Sequence, residues 1–474
     1  MRAAKNFVIL FIGDGLNYLL NFFAIVYLAR VLEVSNFGKI SFAFAFFSFG
    51  SFLTNLGLVS IGTRDIAQSL KTGERSLQNK YINNVVTLRQ VLAAIIFIVL
   101  MIIALVINKP YEVKLLIMLY GLSLFPFALL LEWVFLGWEK MIYITISKLI
   151  LGTSYFALVF VLIKNPEQIK TVPIIFLVSN LLTALFLVFV YLRHRHGGHI
   201  QSKFRERFSE WRILLKSALP IGVGALLIQF SLNFNVVFLG LVKNSLSVGL
   251  FSAASKILFF ILIFDRVMNN TTFPIISRYF LDGKEKLSLV LSRLNKLILA
   301  IAIPICAGGF ILAKPLTVFI YGADYEPSSV IFRILIWFFF ITMLNSLFTS
   351  SLIAGKKNKD YVSSIGFGVL ANVVLNIVLV PILGGRGTAI SLISAELITL
   401  MLLIQKTKPI AHIKIKLSYI IKPIITTFIM VSGILILQSR LTVIPLIIIS
   451  IIIYSLFMLL INGISKKDFT LSQI

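Results

Sequence analysis

The sequence predicts an all-α polytopic membrane protein of about fourteen transmembrane helices, set out as two parallel six-helix repeats and a closing helix pair. Three observations predict it. Of the 474 residues 59% are hydrophobic and only 13% charged, with mean hydropathy +1.00, and no soluble domain of that length buries so much apolar surface. The apolar residues come in long runs separated by short basic loops. The stretch VYLARVLEVSNFGKISFA at 26–43 also returns about 211 residues later as VFLGLVKNSLSVGLFSAA at 237–254.

In that repeat Val26/Val237, Leu28/Leu239, Val31/Val242, Gly38/Gly249, Ser41/Ser252 and Ala43/Ala254 are identical. Each copy is the end of one apolar run, a tight polar turn and the start of the next run. A second pairing sets Leu136-Gly137 and Tyr143 against Ala354-Gly355 and Tyr361, at an offset of about 218. A register kept over two helix pairs marks two similar halves plus a remainder.

Taken in order, runs long enough to cross a bilayer fall near 7–32, 37–62, 81–107, 114–137, 141–163, 173–193, 216–242, 246–276, 288–312, 328–354, 362–383, 387–405, 419–437 and 443–462. The first carries Asp14, Asn17 and Asn21 and lacks a small-residue cleavage pattern, so it is expected to be an uncleaved span rather than a signal peptide. The longest hydrophilic stretch, HRHGGHIQSKFRERFSEWR at 194–212, follows the sixth span and reads as the linker between lobes. The expected lobes are residues 1–210 and 211–405, with 406–474 holding the last two spans and a tail. Six spans return the chain to its starting side, so the repeats are parallel, related by an axis along the membrane normal. The last two spans are Ile- and Leu-rich all round and are expected to face lipid on most sides.

The formal charge of +26 is a matter of topology rather than of nucleic-acid binding, because the basic residues sit mainly in short loops. With the N-terminus inside, about 26 basic residues fall on the cytoplasmic side and about nine outside. Both termini are therefore expected in the cytoplasm. The single cysteine, Cys306, excludes an intramolecular disulfide and a Cys-based metal site. His194, His196 and His199 lie in a basic loop without accompanying carboxylates or thiols, which suits a solvated loop better than a metal site; no cofactor is expected.

The stretch GVLANVVLNIVLVPILGGRGTAISLISAE at 368–396 resembles the oligosaccharide-lipid (O-antigen and polysaccharide) flippases of the multidrug/oligosaccharidyl-lipid/polysaccharide exporter superfamily. The resemblance is carried by Asn372, Asn376, Pro381, Gly384-Gly385-Arg386-Gly387, Thr388-Ala389 and Glu396, and elsewhere by Leu28-Ala29-Arg30-Val31-Leu32, Phe37-Gly38, Asn55-Leu56-Gly57-Leu58 and Phe319-Ile320-Tyr321-Gly322. It implies two six-helix lobes around a central cavity. It also implies alternating-access movement of a polyprenyl-pyrophosphate-linked oligosaccharide to the outer leaflet of a bacterial cytoplasmic membrane. H+ or Na+ as a coupling ion, and the polymerase and chain-length regulator of the same pathway as partners, belong to the same implication.

A charge at the bilayer centre costs about 2.5–3.5 kcal/mol even on a lenient scale, so ionisable residues within spans are the best site candidates. Counted from the helix ends, Lys256 and Glu396 lie roughly 15 Å deep, and Arg89, Lys148 and Asp14 somewhat shallower. Arg30, Arg266, Arg293, Lys296 and Arg333 are nearer helix ends, where long side chains also snorkel to water. For a pyrophosphate, Arg89 and Lys256 with Arg30 and Arg333 are the candidate cationic lining, Arg as a bidentate donor and Lys as a point charge. Asp14, Asn17 and Asn21 share one face of the first helix, a candidate proton or sodium site alongside Glu396, or a polar seam between helices. The amide pairs Gln229/Asn233 and Asn372/Asn376 are candidate sugar contacts, and interhelical hydrogen bonding explains them as well.

Three other functions compete. A multidrug or lipid-precursor exporter of the same superfamily fits the fold, although several intramembrane cations favour an anionic lipid-linked substrate. A membrane polysaccharide polymerase or glycosyltransferase would use a larger outer loop than the short stretch at 314–327, where Asp324-Tyr325-Glu326 only imitates a metal-binding acidic motif. A scaffold in an envelope assembly complex leaves the buried charges without a purpose.

Overall fold

The computed structural model describes residues 2–72, 75–194, 204–411, 413 and 416–464. Every regular element among them is helical. In chain order they are α1 Arg2–Asn55, α2 Leu58–Thr72, α3 Arg75–Val106, α4 Tyr111–Leu122, α5 Leu124–Ala128, α6 Glu132–Gly137, α7 Met141–Leu162, α8 Thr171–His194 and α9 Phe204–Val242. There follow α10 Ser245–Ile261, α11 Ile263–Leu281, α12 Lys284–Ile311, α13 Ala313–Tyr321, α14 Ser328–Ala354, α15 Asn358–Leu383, α16 Gly385–Thr407, α17 Ser418–Leu437 and α18 Val443–Leu460. The linker residues His196 and His199 and the tail lysines Lys466 and Lys467 lie outside the described residues.

Thirteen stretches of the described chain are long and apolar enough to cross a membrane, the first being Gly13–Ser69 with 57 residues. At about 1.5 Å per residue that stretch is far longer than a roughly 30 Å hydrocarbon core. It is not one rod. Helical geometry breaks at Glu33, φ 64° and ψ 166°, in the polar turn between the first two apolar runs. The remaining twelve stretches match the other twelve runs one for one, so the protein is an all-α multi-pass membrane protein.

The chain folds as two compact units, Met1–Gly249 and Leu250–Ile474. In the first, α1 packs chiefly on α7, α9, α4 and α3, and α9 also packs on α2 and α3. Packing thus draws α9 into the first unit, while the sequence repeat places it at the head of the second half. An apolar core joins Ile61 and Ile66 of α2, Val85 and Leu88 of α3, Trp133 and Phe135 of α6, Leu187 of α8 and Leu214 of α9. Between α3 and α4, Lys109 donates a hydrogen bond to the Lys243 carbonyl at 3.3 Å, and partial burial lowers its pKa.

In the second unit α14 lies at the centre, against α16, α12, α11 and α13, and α15 runs along α16. α17 docks on α12, and α18 on α17 through Leu312, Met430, Ile434 and Leu446. Phe428, Ile436, Ile451 and Leu459 of this last pair are exposed, as befits helices that are apolar around their circumference and bathed in lipid.

The repeated turns meet within the first unit. A methyl group on Gly38 would stand 1.9 Å from the Ser245 carbonyl oxygen, and one on Gly249 would stand 2.0 Å from that of Val34. Only hydrogen fits at either position, and the two backbones cross in contact.

Candidate functional site

In the first unit the fourth span is broken. α4, α5 and α6 are three pieces of one apolar run, interrupted around Pro126, which has no N–H with which to continue the ladder. Backbone oxygens freed inside a membrane need other donors. Gln90 Nε2 donates to the Phe125 oxygen at 2.9 Å, Arg89 Nη2 to that of Phe127 at 3.1 Å, and Arg89 Nη1 to that of Leu130 at 3.0 Å. Arg89 is 1% exposed, so in this conformation its guanidinium serves the break and reaches no open surface.

Beside the break Glu132 opens α6 and accepts a hydrogen bond from Ser147 Oγ at 3.0 Å, within electrostatic range of Lys148, Asp14 and Arg89. Lys148 forms an ion pair with Asp14. The candidate ion site of helix one thus already holds a cation, the ammonium of a neighbouring helix. Asn21 Nδ2 donates to the Asn17 carbonyl and to Asn17 Oδ1, at 2.8 and 2.9 Å, which makes these two amides a local pair. Arg30 is exposed. On α9 Asn233 Nδ2 donates to the Gln229 carbonyl at 3.0 Å, and Gln229 is exposed. Beside them Phe230, Phe234 and Phe238 stack at successive centroid distances of 5.3 Å.

In the second unit Lys256 is half-buried on α10. The Arg333 guanidinium lies 5.7 Å from the Phe310 ring centre. Asn372 and Asn376 are both 0% exposed, and Asn376 Nδ2 donates to the Asn372 carbonyl at 2.7 Å and to Oδ1 at 2.9 Å. This pair braces α15 from within. Glu396 on α16 accepts from Asn345 Nδ2 at 2.7 Å and Thr342 Oγ1 at 3.3 Å, both on α14. Asp265 on α11 is hydrogen-bonded to Ser346 and lies within electrostatic range of Glu396. The acidic triplet is a loop clamp, with Glu326 paired to Lys314 at 2.7 Å and Tyr325 1% exposed. No group of three or more His, Cys, Asp or Glu that could hold a metal occurs among the described residues.

The family model for polysaccharide biosynthesis proteins matches residues 3–280, more than half of the chain. The chain belongs to the polysaccharide biosynthesis protein family. This family member is 22% identical over 406 residues to a putative O-antigen transporter of Shigella dysenteriae, covering 85% of the present chain and 100% of that one. Over 125 residues, 26% of this chain and 23% of the other, it is 30% identical to the lipid II flippase MurJ of Bacillus subtilis (strain 168). Its fold is similar to that of the lipid II flippase MurJ solved in an inward closed conformation, with a TM-score of 0.74 at 17% identity over 95% of this chain and 98% of that one. It also matches an inward-facing multidrug resistance MATE family transporter, with a TM-score of 0.67 at 16% identity over 83% and 94% of the two chains. The family expected from the sequence is matched over residues 3–280, the expected fold is matched along most of the chain, and the relatives are named as transporters and flippases.

Gln90, Glu132, Asp265, Asn345 and Ser346 are among the residues that the sequence alone did not single out in this family member. A signal was present. Asp265 and Asn269 stand four apart in an apolar run, as do Thr342 and Ser346, which puts each pair on one helix face.

Proposed function

We propose that this chain is a flippase that carries polyprenyl-pyrophosphate-linked oligosaccharide units from the cytoplasmic to the outer leaflet by alternating access, for O-antigen, capsule or a similar surface polymer. The observation that carries the reading is the family match, joined to a relative named as an O-antigen transporter that is covered over its whole length. Two repeat lobes, residues 1–210 and 211–405, would be the moving parts, in a bacterial cytoplasmic membrane with both termini inside. The polymerase and chain-length regulator of such a pathway are the expected partners. Lys256 is the cation assigned to the pyrophosphate in the second unit: it is half-buried in the middle of an apolar helix, and an ionisable side chain at that depth marks a functional site. Arg30 and Arg333 are assigned supporting roles, and Gln229 with Asn233 the sugar contacts in the first unit. Arg89 is assigned to holding the broken helix.

The test is reconstitution of the purified chain in liposomes with a fluorescent polyprenyl-pyrophosphate oligosaccharide, following its arrival in the opposite leaflet. Translocation that disappears in Lys256→Ala at unchanged protein abundance supports the reading. Absence of any translocation, together with gradient-driven efflux of a cationic dye, replaces it with the multidrug-exporter reading.

A further inference from the structure

We propose that the start of α9, residues 208–219, is a docking surface for anionic phospholipid, seated where the headgroups of the surrounding bilayer meet its acyl chains. The segment begins in the hydrophilic stretch at 194–212 and has no part in the transport reading above. It runs as one helix into the membrane-length stretch Gly222–Val242.

The two sides of the segment differ. Toward the first unit, Trp211, Leu214 and Ala218 are buried in the apolar core that also holds Ile66, Val85 and Tyr191. Glu210 is paired with Lys80 at 2.7 Å and accepts a hydrogen bond from Asn84 Nδ2. On the other side Phe208, Ile213 and Leu219 are 65, 64 and 45% exposed, and Arg212 and Lys216 are exposed among them. At about 100° per residue, Arg212 and Lys216 fall in the middle of that face, with Phe208 and Leu219 on one flank and Ile213 on the other. The acid is turned in and the cations are turned out.

Neighbouring elements extend the same surface. Trp138 stacks on Tyr191 with ring centres 6.0 Å apart, and both adjoin the core that holds Trp211. The Lys140 ammonium lies 5.6 Å from the Trp138 ring centre, and the Arg193 guanidinium lies 4.3 Å from that of Phe189. Phe189 and Leu192 are themselves exposed. Among the described residues no acid forms an ion pair with Lys140, Arg193, Arg212 or Lys216. Glu139 adds an exposed carboxylate beside Lys140, and these residues together stay net positive.

The occupant follows from this mixture. Water suits the cations and not Phe208, Ile213 and Leu219, whereas acyl chains alone suit the reverse. A helix face both basic and apolar rests at the boundary between headgroups and acyl chains, and Lys and Arg at that level attract anionic lipid. Trp and Tyr mark the same level, and Trp138, Tyr143 and Tyr191 stand at or beside the ends of their membrane-length stretches. A lipid phosphate meets Arg212 through paired hydrogen bonds and Lys216 as a point charge. An acidic protein partner would satisfy the cations without needing apolar flanks at the level where a span begins.

The experiment places the full-length chain in nanodiscs of phosphatidylcholine with a rising fraction of phosphatidylglycerol and reads its unfolding temperature. A ligand that binds only the folded protein raises its stability as its concentration rises. The expected result is a saturable rise that high salt weakens and that is at most half as large in Arg212→Gln/Lys216→Gln. Arg212→Lys/Lys216→Arg keeps both charges and the rise. Arg386→Gln/Arg440→Gln, which removes two exposed charges of the second unit, keeps it as well. Should the double glutamine variant fold poorly, the two single glutamine variants replace it, each with an intermediate response. No preference for phosphatidylglycerol overturns the site and leaves the face to a protein partner. An equal rise in the glutamine variants overturns it too. So does a rise of the same size from inorganic phosphate in pure phosphatidylcholine, which would mark a site for free anions. No lipid-linked sugar enters the measurement, so its failure and that of the flippase reading are separate results.

Discussion

Gly38 and Gly249, matched positions of the internal repeat, press each other's turn: a methyl on the first would meet the Ser245 oxygen, and a methyl on the second the Val34 oxygen. Val34 and Ser245 are themselves matched, so the contact is reciprocal, as expected where two copies of one turn face each other. Gly38→Ala therefore has nowhere to place its methyl without parting the two backbones. Overpacking of this kind costs about 1–3 kcal/mol, and a lower unfolding temperature of the purified chain is the expected result. Gly15→Ala is the control, since no heavy atom stands within 4 Å of a methyl there. An equal loss in both variants would remove the close-contact explanation.

Arg89 and Lys256 are expected to fail in different ways. Arg89→Ala takes the donors from the Phe127 and Leu130 oxygens, and Arg89→Lys cannot replace a fork that reaches two carbonyls at once. Both variants should fall in abundance and melt early, with the surviving fraction still binding the lipid-linked sugar. Lys256→Ala should accumulate normally and lose transport. Normal abundance of Arg89→Ala with selective loss of transport would restore Arg89 to the substrate path.

These residues show what the chain discloses before it folds. The thirteen membrane-length stretches were legible because bilayer thickness forces roughly 20 apolar residues into each crossing, and the break at Glu33 inside the first of them is marked by the polar Glu33-Val34-Ser35-Asn36. The partners of Arg89 were not legible. They are carbonyls, identical along any sequence, and they become acceptors only because the helix around Pro126 breaks. Asn345 and Glu396 likewise meet through the packing of α14 on α16 across 51 positions of sequence, beyond the reach of any helical period. Depth in the membrane flagged Asp14 and Lys148 one by one, whereas their pairing comes from the contact of α1 with α7.

That pairing gives a third expectation. Lys148→Gln leaves Asp14 without its ion-pair partner, and Asp14→Asn leaves Lys148 with only the more distant charge of Glu132, each in a partly buried setting with side chains 45% and 23% exposed for Asp14 and Lys148. The double variant removes both charges together. A thermal-stability cycle over the four proteins should show the double change costing less than the sum of the single ones, with a coupling between about 0.5 and 3 kcal/mol. Simple additivity would mean that the pair contributes nothing to the fold.

The two amide pairs should separate by burial. Asn372 and Asn376 are sealed, and Asn376 Nδ2 donates to both oxygens of Asn372. Asn376→Ala removes a brace and leaves the Asn372 oxygens with fewer donors, so stability is expected to fall by about 1–3 kcal/mol. Its transport rate per folded molecule should not depend on the sugar. Gln229→Ala changes an exposed side chain beside the Phe230, Phe234 and Phe238 stack, where stability has little at stake. Its effect should appear instead as a changed ratio of translocation rates between two lipid-linked oligosaccharides that share a pyrophosphate and differ in their sugars. If Asn376→Ala altered that ratio and Gln229→Ala did not, the sugar would be read on α15 and the sealed state of that pair would belong to one conformation of the cycle.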